Sequence, residues 1–299
     1  MKSRVAWVSA AMLFAWWCAA PLAPVFAQAA ATATAPKITA KIDGEYGYWL
    51  PSNIAKQSYA HQGDYLNNLL HWFMAILFVA WGIFFVYCLI RFRSRPGHRA
   101  NSQLPHAKIS KYAEVGVAIF EGVLLIGLAI PAWAAVKNDI PTADRNPLRV
   151  RVIGEQFQWT FHYSGADGVF GKTAAAKVDT ATNPAGLDKA DPHAADDIVV
   201  GEFHIPVDRP IICDISSKDV IHSFFVPVLR VKQDAVPGMR IPIWFEAGRT
   251  GNYEVACAQL CGNNHYSMRA LMVIQTAAEF EEWLKVKSAP PEEFDEDEL

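Results

Sequence analysis

The 299-residue chain holds only five cysteines, Cys18, Cys88, Cys213, Cys257 and Cys261. Only the last two are close in sequence, so a disulfide framework does not organise this protein. A strong charge of one sign is also missing, since 27 Lys and Arg face 30 Asp and Glu for a formal net charge of -3. No basic stripe with interleaved aromatics appears in the second half, which argues against nucleic-acid binding. No Cys-x-x-Cys-His block occurs, so no haem c domain is fused here. No internal repeat stands out.

Apolar residues are plentiful, at 52% of the chain, and unevenly placed. Lys2 and Arg4 precede an apolar run from Val5 to Ala20, and Pro24-Val-Phe-Ala27 offers small residues for cleavage. Residues 1–27 therefore read as a secretory signal, with Cys18 in a poor lipoprotein context. Residues 28–60 read as a leader, rich in Ala and Thr and flexible to about residue 45. Leu69–Ile90 carries no charge and is long enough to cross a bilayer at about 1.5 Å per residue. The basic stretch from Arg91 to Arg99, with Lys108 and Lys111, should stay in the cytoplasm. Val115–Val136 forms a second span, with Glu114 just before it and Glu121 inside it. An ionisable group at membrane depth costs roughly 3 kcal/mol, so Glu121 should face another membrane protein. The alternative is a shallow position near the interface. Residues 61–140 thus form a transmembrane α-helical hairpin with both ends outside, which exports the chain beyond Ile140.

The exported part, residues 141–287, reads as all-β. Leu148, Val150 and Val152 alternate, then Phe157, Trp159, Phe161 and Tyr163, with a phase shift near Gly154 that suggests a bulge or bend. Further strands are expected at Ile198–Val207, Pro210–Ser216, Ser223–Val228, Ile241–Glu246, Asn252–Ala256 and Ala270–Gln275. Short strands separated by Pro and Gly point to a sandwich or barrel. Residues 164–197 look like a mobile insertion. Thr276-Ala-Ala-Glu279 is a capping box opening a last helix to about Lys287. Residues 288–299 form an acidic tail, expected to be disordered.

Within the exported part, Cys257, Cys261, His265 and Met268 fall inside a dozen residues, as Cys-x3-Cys-x3-His-x2-Met. Soft sulfur beside imidazole suits copper better than hard cations, and a weak axial Met is a copper electron-transfer feature. Zinc accepts Cys and His but gains nothing from the thioether. A Cys257–Cys261 disulfide is the other alternative in an exported segment. His222, in Val220-Ile-His222-Ser-Phe-Phe, is the best second imidazole; the competing reading is a satisfied core histidine.

These residues carry a resemblance. The Cys-x3-Cys-Gly-x2-His-x2-Met block resembles that of subunit 2 of the haem–copper cytochrome c oxidases. Ser217-Lys-Asp219-Val-Ile-His222, Lys232-Gln-Asp234-Ala-Val-Pro237-Gly238, the aromatic run from Gly154 to Trp159 and the hairpin extend the likeness over roughly residues 60 to 285. The resemblance implies a cupredoxin-like β-barrel carrying a dinuclear copper centre, CuA. Cys257 and Cys261 would bridge two coppers, His222 and His265 would bind one each, and Met268 and the Gln259 carbonyl would complete the set.

Many members carry Glu where Gln259 stands. A neutral amide is a weaker ligand for a hard cation. This counts against the magnesium or manganese ion that Glu helps to hold against subunit 1. Phe157 takes the place of the Trp thought to receive electrons, and Trp159 matches a later Trp; plain barrel core is the alternative for both. Glu114 aligns with the entrance of a proton path into subunit 1, and Glu121 stands where many relatives have Pro.

The resemblance therefore implies an electron-entry subunit of a terminal oxidase in a bacterial plasma membrane, with its copper domain on the periplasmic side. Electrons would pass from cytochrome c through CuA to subunit 1, which reduces oxygen to water and moves protons. Asp219 and the acidic tail would attract a basic cytochrome c, or simply be a solvated surface. The alternatives are a quinol-oxidising relative, the copper subunit of a nitric oxide reductase, a membrane-tethered copper-binding or delivery protein, and a disulfide-bearing assembly subunit.

Overall fold

The computed structural model describes residues 41–43, 50–97, 99, 108–138 and 140–288. The signal segment 1–27, most of the leader, part of the basic loop and the tail from 289 onward lie outside the described residues.

Helix α1, Ser58–Arg91, starts well ahead of the span expected from Leu69. Its first turns are not apolar enough to belong to lipid; they bury Tyr59 and Ala60 against the exported domain. The second membrane helix has three parts: α2 at Lys108–Leu124, a π turn at Leu125–Ala129, and α3 at Ile130–Asn138. Pro131 explains the break. Proline has no N–H to donate and crowds the preceding turn, and a wider π turn relieves that crowding. Ser58–Arg91 and Lys111–Ala134 are the two described helices long and apolar enough to cross a membrane, and the other described residues bury no part of their most apolar windows. Phe73 and Phe120 meet between them, with ring centroids 6.1 Å apart.

The exported domain is a sandwich of two five-stranded sheets. One sheet contains β1 (Leu148–Glu155), β2 (Gln158–Tyr163), β3 (Ile198–Val200), β5 (Pro210–Ser217) and β8 (Ile241–Glu246), in the order β3-β2-β1-β5-β8. The other contains β4 (Phe203–Pro206), β6 (His222–Val226), β7 (Val231–Ala235), β9 (Gly251–Cys257) and β10 (Arg269–Gln275), in the order β4-β10-β9-β6-β7. Val150 and Val152 point inward while Arg149 and Arg151 point out, the period-two pattern of a half-covered strand. Between the sheets, Phe161 stacks on Phe203 at 4.6 Å, and Phe203 meets Phe224 and Phe245 edge-on. Each such fully buried ring contributes roughly 1.5–3 kcal/mol.

Three expectations need correction. The phase shift at Gly154 is a hairpin rather than a bulge: Gly154 pairs with Trp159 and Glu155 with Gln158, leaving Gln156 and Phe157 as a two-residue turn. The alternation changes phase because the chain reverses. The single strand expected at 198–207 breaks at Gly201-Glu202, so that β3 and β4 join different sheets. Strand β7 was not expected, because Lys232, Gln233 and Asp234 mask its alternation; it is an edge strand burying only Val231 and Ala235.

The insertion 164–197 has hydrogen-bonded structure of its own. It is held by side-chain carboxylates that accept main-chain N–H bonds, in place of a strand ladder. Asp196 accepts from Ala166 and Asp167, Asp191 from Lys172, and Asp179 from Ala181 and Thr182. Buried Asp197 joins His162 Nε2 at 2.7 Å and takes the Gly171 N–H at 2.8 Å. Arg151 lies 4.2 Å over the Phe170 ring, so the insertion sits against the outer face of β1 and β2.

The end of the expected leader is equally fixed. Ile54 donates its N–H to Val228, Lys56 to Glu246, and Gly248 returns a bond to Ile54. The Gln57 side chain spans Leu229 O and Glu246 N–H, the Tyr59 hydroxyl donates to Trp244 O, and Arg230 pairs with Asp64 at 2.6 Å. The root of α1 is thereby welded to the sandwich. At the other end, helix α4, Ala277–Ser288, opens with the expected capping box: Glu279 N–H donates to Thr276 Oγ1 at 3.3 Å, and Thr276 N–H donates to the Glu279 carboxylate at 2.9 Å. Phe280 is buried, and Trp283 stacks on His204.

Candidate metal centre

Three chain segments meet at one end of the sandwich: the β1–β2 turn, the approach to β6, and the loop between β9 and β10. Cys257 closes β9 and pairs across to Phe224 of β6, two residues beyond His222. The main chain then locks the loop. Cys257 N–H donates to Met268 O at 3.1 Å, and Ala258 N–H donates to Ser223 O at 2.9 Å. A short 3-10 turn at His265–Ser267 brings the loop back toward its own start.

One donor atom from each of His222, Cys257 and Cys261 falls within 4.8 Å of the other two. The two sulfurs are 3.9 Å apart, about twice a disulfide bond length, and both thiols are free. Cys261 Sγ lies 3.6 Å from His265 Nδ1 and 3.8 Å from Met268 Sδ. Cys257 Sγ lies 3.2 Å from the Gln259 carbonyl oxygen. All six residues expected as donors are therefore brought together.

His222 is completely buried. Its Nε2 faces Asp219 Oδ1 at 2.8 Å, while Nδ1 is buried with no hydrogen-bond partner among the described residues. A buried ring nitrogen left without a partner is costly unless something binds it. The donor set around it is soft: two thiols, a thioether and a second imidazole. These are the ligands copper favours, so the residues fit the metal that the motif suggests. The ring rests edge-on to Trp159, at 6.0 Å between centroids. Gly154 makes room for it, since a Cβ there would lie 3.0 Å from His222 Cδ2 and 3.1 Å from Trp159 Cζ3.

The charges are arranged for a single thiolate. Burial opposes ionisation of Cys257, but the neighbouring His222 and His265 imidazoles and the Ser223 and Gln259 main chain outweigh it and lower the thiol to about 6. Burial and the adjacent Cys257 charge push Cys261 up to about 12. Asp219 is also partly buried, yet its bonds to His222 and to the Gln156 and Val220 N–H groups hold it below the usual carboxylate range.

The remaining expected residues divide in two. Phe157 is half-buried against the thiol loop, where a Cβ at Gly262 would come 2.9 Å from its Cζ. Trp159 lies deeper, between His222 and Phe224. Glu114 and Glu121 stand on α2, exposed within this chain and remote in sequence from the loops; the fold does not bring them to the thiols. Gln156, Gly154 and Gly262 stand inside motifs of the sequence, but the sequence assigns them no role; they shape the site without donating to it. Only the shared end of the fold reveals them.

These features define a membrane-anchored, cupredoxin-like β domain with a buried imidazole–dithiol group able to hold a metal ion. The family "Cytochrome C oxidase subunit II, periplasmic domain" matches residues 148–276. The alternative cytochrome c oxidase subunit 2 of Bradyrhizobium diazoefficiens is 34% identical over 221 residues, covering 73% of this chain and 77% of that one. A cytochrome c oxidase subunit 2 of Synechocystis is 32% identical over 148 residues, covering 50% of this chain and 36% of that one. The solved periplasmic domain of cytochrome oxidase subunit II from Bradyrhizobium japonicum is 28% identical, covering 50% of this chain and 96% of that one, with a TM-score of 0.36. The chain belongs to the cytochrome c oxidase subunit 2 family. It is thus one subunit of an oxidase complex whose catalysis lies on another chain.

Proposed function

We propose that this chain is the electron-entry subunit of a terminal respiratory oxidase, anchored in a bacterial plasma membrane with its sandwich on the periplasmic side. It accepts electrons from cytochrome c at a dinuclear copper centre held by His222, Cys257, the Gln259 carbonyl, Cys261, His265 and Met268. The electrons go on to subunit 1, where oxygen is reduced to water and protons are moved. The single observation that carries this reading is that donor atoms of buried His222, Cys257 and Cys261 lie within 4.8 Å of one another, on an imidazole whose buried Nδ1 has no hydrogen-bond partner among the described residues.

When bound, copper supplies one-electron redox chemistry. The chain's own residues do the rest. Asp219 engages Nε2 of His222 and leaves Nδ1 for the metal. Cys257 is set up as a thiolate ligand, while Cys261 gives up its proton on binding. Met268 and His222 are fully buried and Cys261 is only 5% exposed, which keeps water out. That burial favours a retained site over a delivery site, because delivery needs ligands that a recipient can reach. Phe157, packed on the thiol loop, and Trp159 behind it form the electron-entry route, and Glu114 marks the entrance of the proton path. The neutral side chain of Gln259 argues against an interfacial magnesium or manganese ion.

The test is copper loading of the full chain in detergent. The expected result is two coppers per chain and a hyperfine pattern from one unpaired electron shared by both nuclei. One copper per chain, or an electron localised on one nucleus, overturns the reading. Oxygen against nitric oxide consumption by the purified complex separates a terminal oxidase from a nitric oxide reductase.

A further inference from the structure

The imidazole and the thiols reach the centre on different segments, and Gln156, which donates to neither metal nor substrate, is hydrogen-bonded to both. Its main-chain N–H donates to Asp219 Oδ2 at 2.7 Å. The other oxygen of that carboxylate holds His222 Nε2 at 2.8 Å. Its side-chain amide Nε2 donates to the carbonyl oxygen of Cys261 at 2.5 Å. One residue therefore bonds, in one direction, the group that orients the buried imidazole, and, in the other, the peptide that carries the second thiol.

The mount beneath Gln156 is firm. It sits in a two-residue turn closed by the Glu155–Gln158 pair. Lys218 N–H donates to Gly154 O at 3.0 Å, tying the same turn to the segment that leads into His222. Lys218 Nζ reaches Glu155 at 2.8 Å, a second tie between the same two segments. The thiol loop closes tightly on the amide. A Cβ at residue 262 would come 2.9 Å from Gln156 Nε2, and the φ of 138° there is one that side chains rarely adopt. Glycine at 262 is what lets the loop approach the amide.

We propose that Gln156 is a positioning residue of the metal centre: it fixes the thiol loop relative to the Asp219–His222 pair, and so sets the spacing of thiols and imidazole before any metal arrives. The side-chain bond is the part that can be removed cleanly, because the main-chain bond survives substitution. Leucine keeps most of the bulk of glutamine and loses the donor. Alanine loses both. A brace acting through its hydrogen bond is lost in both variants, whereas a role in packing alone survives in Q156L.

The experiment uses the full chain in detergent. In the metal-free protein, the readout is the alkylation rate of Cys261 by a neutral maleimide, followed by peptide mass analysis, with half-exposed Cys257 as the internal reference. Loss of one hydrogen bond to a sheltered carbonyl should raise the Cys261 rate about tenfold in both Q156A and Q156L, leaving Cys257 within about twofold. In the copper-loaded protein, both variants should release copper to a chelator about tenfold faster and show altered hyperfine splitting. Thermal unfolding of the metal-free variants close to that of the unaltered chain shows that the sandwich is intact. A Cys261 rate in Q156L that matches the unaltered chain overturns the proposal, whatever Q156A does. The spectroscopic arm rests on the copper reading above, but the alkylation arm does not. If the unaltered chain never yields a shared-electron signal, the electron-entry reading fails while the alkylation rates still decide the role of Gln156.

Discussion

His222 opens a strand that is paired on both sides, through Ala235 of β7 and, two residues on, through Cys257 of β9. Cys261, His265 and Met268 sit on a loop with no ladder at all, fixed by a few main-chain bonds and by the Gln156 amide. On the strand side the metal-free fold already holds its donor rigidly, with Trp159 and Gly154 packed around it. On the loop side the donors are held mainly by one another and by what they bind. The two sides should therefore fail differently when altered.

The largest expected effect is on the loop. Cys261→Ser should abolish the paired-copper spectrum and leave fewer than two coppers per chain, because a hydroxyl is a poor ligand for a soft metal. The metal-free sandwich should still unfold cooperatively, as followed by circular dichroism. Retention of the unaltered spectrum removes Cys261 from the ligand set.

The two imidazoles give the sharpest contrast. Both His222→Ala and His265→Ala should lose a copper position. Only His222→Ala removes a fully buried ring from a packed site, and it also takes one of Asp219's hydrogen-bond partners. Its metal-free form should be less stable by about 2–4 kcal/mol. His265 is half-buried on the loop, and its alanine variant should lose less than about 1 kcal/mol. Denaturant unfolding of the metal-free proteins measures both values. Equal losses would show that the strand and loop sides do not differ as the packing indicates.

The same asymmetry bears on what could be read from the sequence. The loop side was legible because its chemistry is local: two thiols, an imidazole and a thioether in a dozen residues announce a soft-metal site without any fold. His222 was legible only in company with that motif, since a lone His among apolar residues reads as core. Asp219 attracted notice for its charge, but its bond to the imidazole needs the turn before β6. Gln156 lies in the run from Gly154 to Trp159 that carries the resemblance, but its role is not legible there, because that role comes from a hairpin where the phase shift suggests a bulge or bend. The two apolar helices were visible in the length of their apolar runs, and the first strands in their alternation. Strand β7 was not, because three polar residues in a row are what an edge strand tolerates. The insertion's internal bonds were hidden for a related reason: Asp, Gly and Ala usually spell a loose loop, and only the structure shows carboxylates such as Asp196 and Asp179 capping specific N–H groups.

Acidity should act mainly on the thiols. With Cys257 near 6 and Cys261 near 12, the metal-free pair carries one proton across the neutral range and two below about pH 6. A metal that binds both thiolates must displace those protons, so lowering the pH weakens binding. Apparent copper affinity should fall about tenfold per pH unit between pH 8 and 7, where one proton is released. Below pH 6 it should exceed a hundredfold per unit, because the second thiol proton is joined by that of His222, where burial opposes protonation but Cys257 and Asp219 outweigh it. Competition titrations against a chelator of known protonation, from pH 5 to 8, give the slope. A flat profile would mean that the thiols are not both ligands.

The smallest effect should come from Met268. It is fully buried, and its sulfur lies 3.8 Å from Cys261. Leucine has nearly the same volume, so Met268→Leu should cost under about 1.5 kcal/mol in the metal-free fold. What it removes is a weak soft ligand. Copper stoichiometry should hold at two per chain while the reduction potential changes, since an axial thioether tunes potential more than it secures the metal. A potentiometric titration that finds both stoichiometry and potential unchanged would assign Met268 to packing. The loop would then reach the metal only through Cys257, Cys261, His265 and the Gln259 carbonyl. Its last turn would serve to close the loop, through the bond from Cys257 N–H to Met268 O, which leucine preserves.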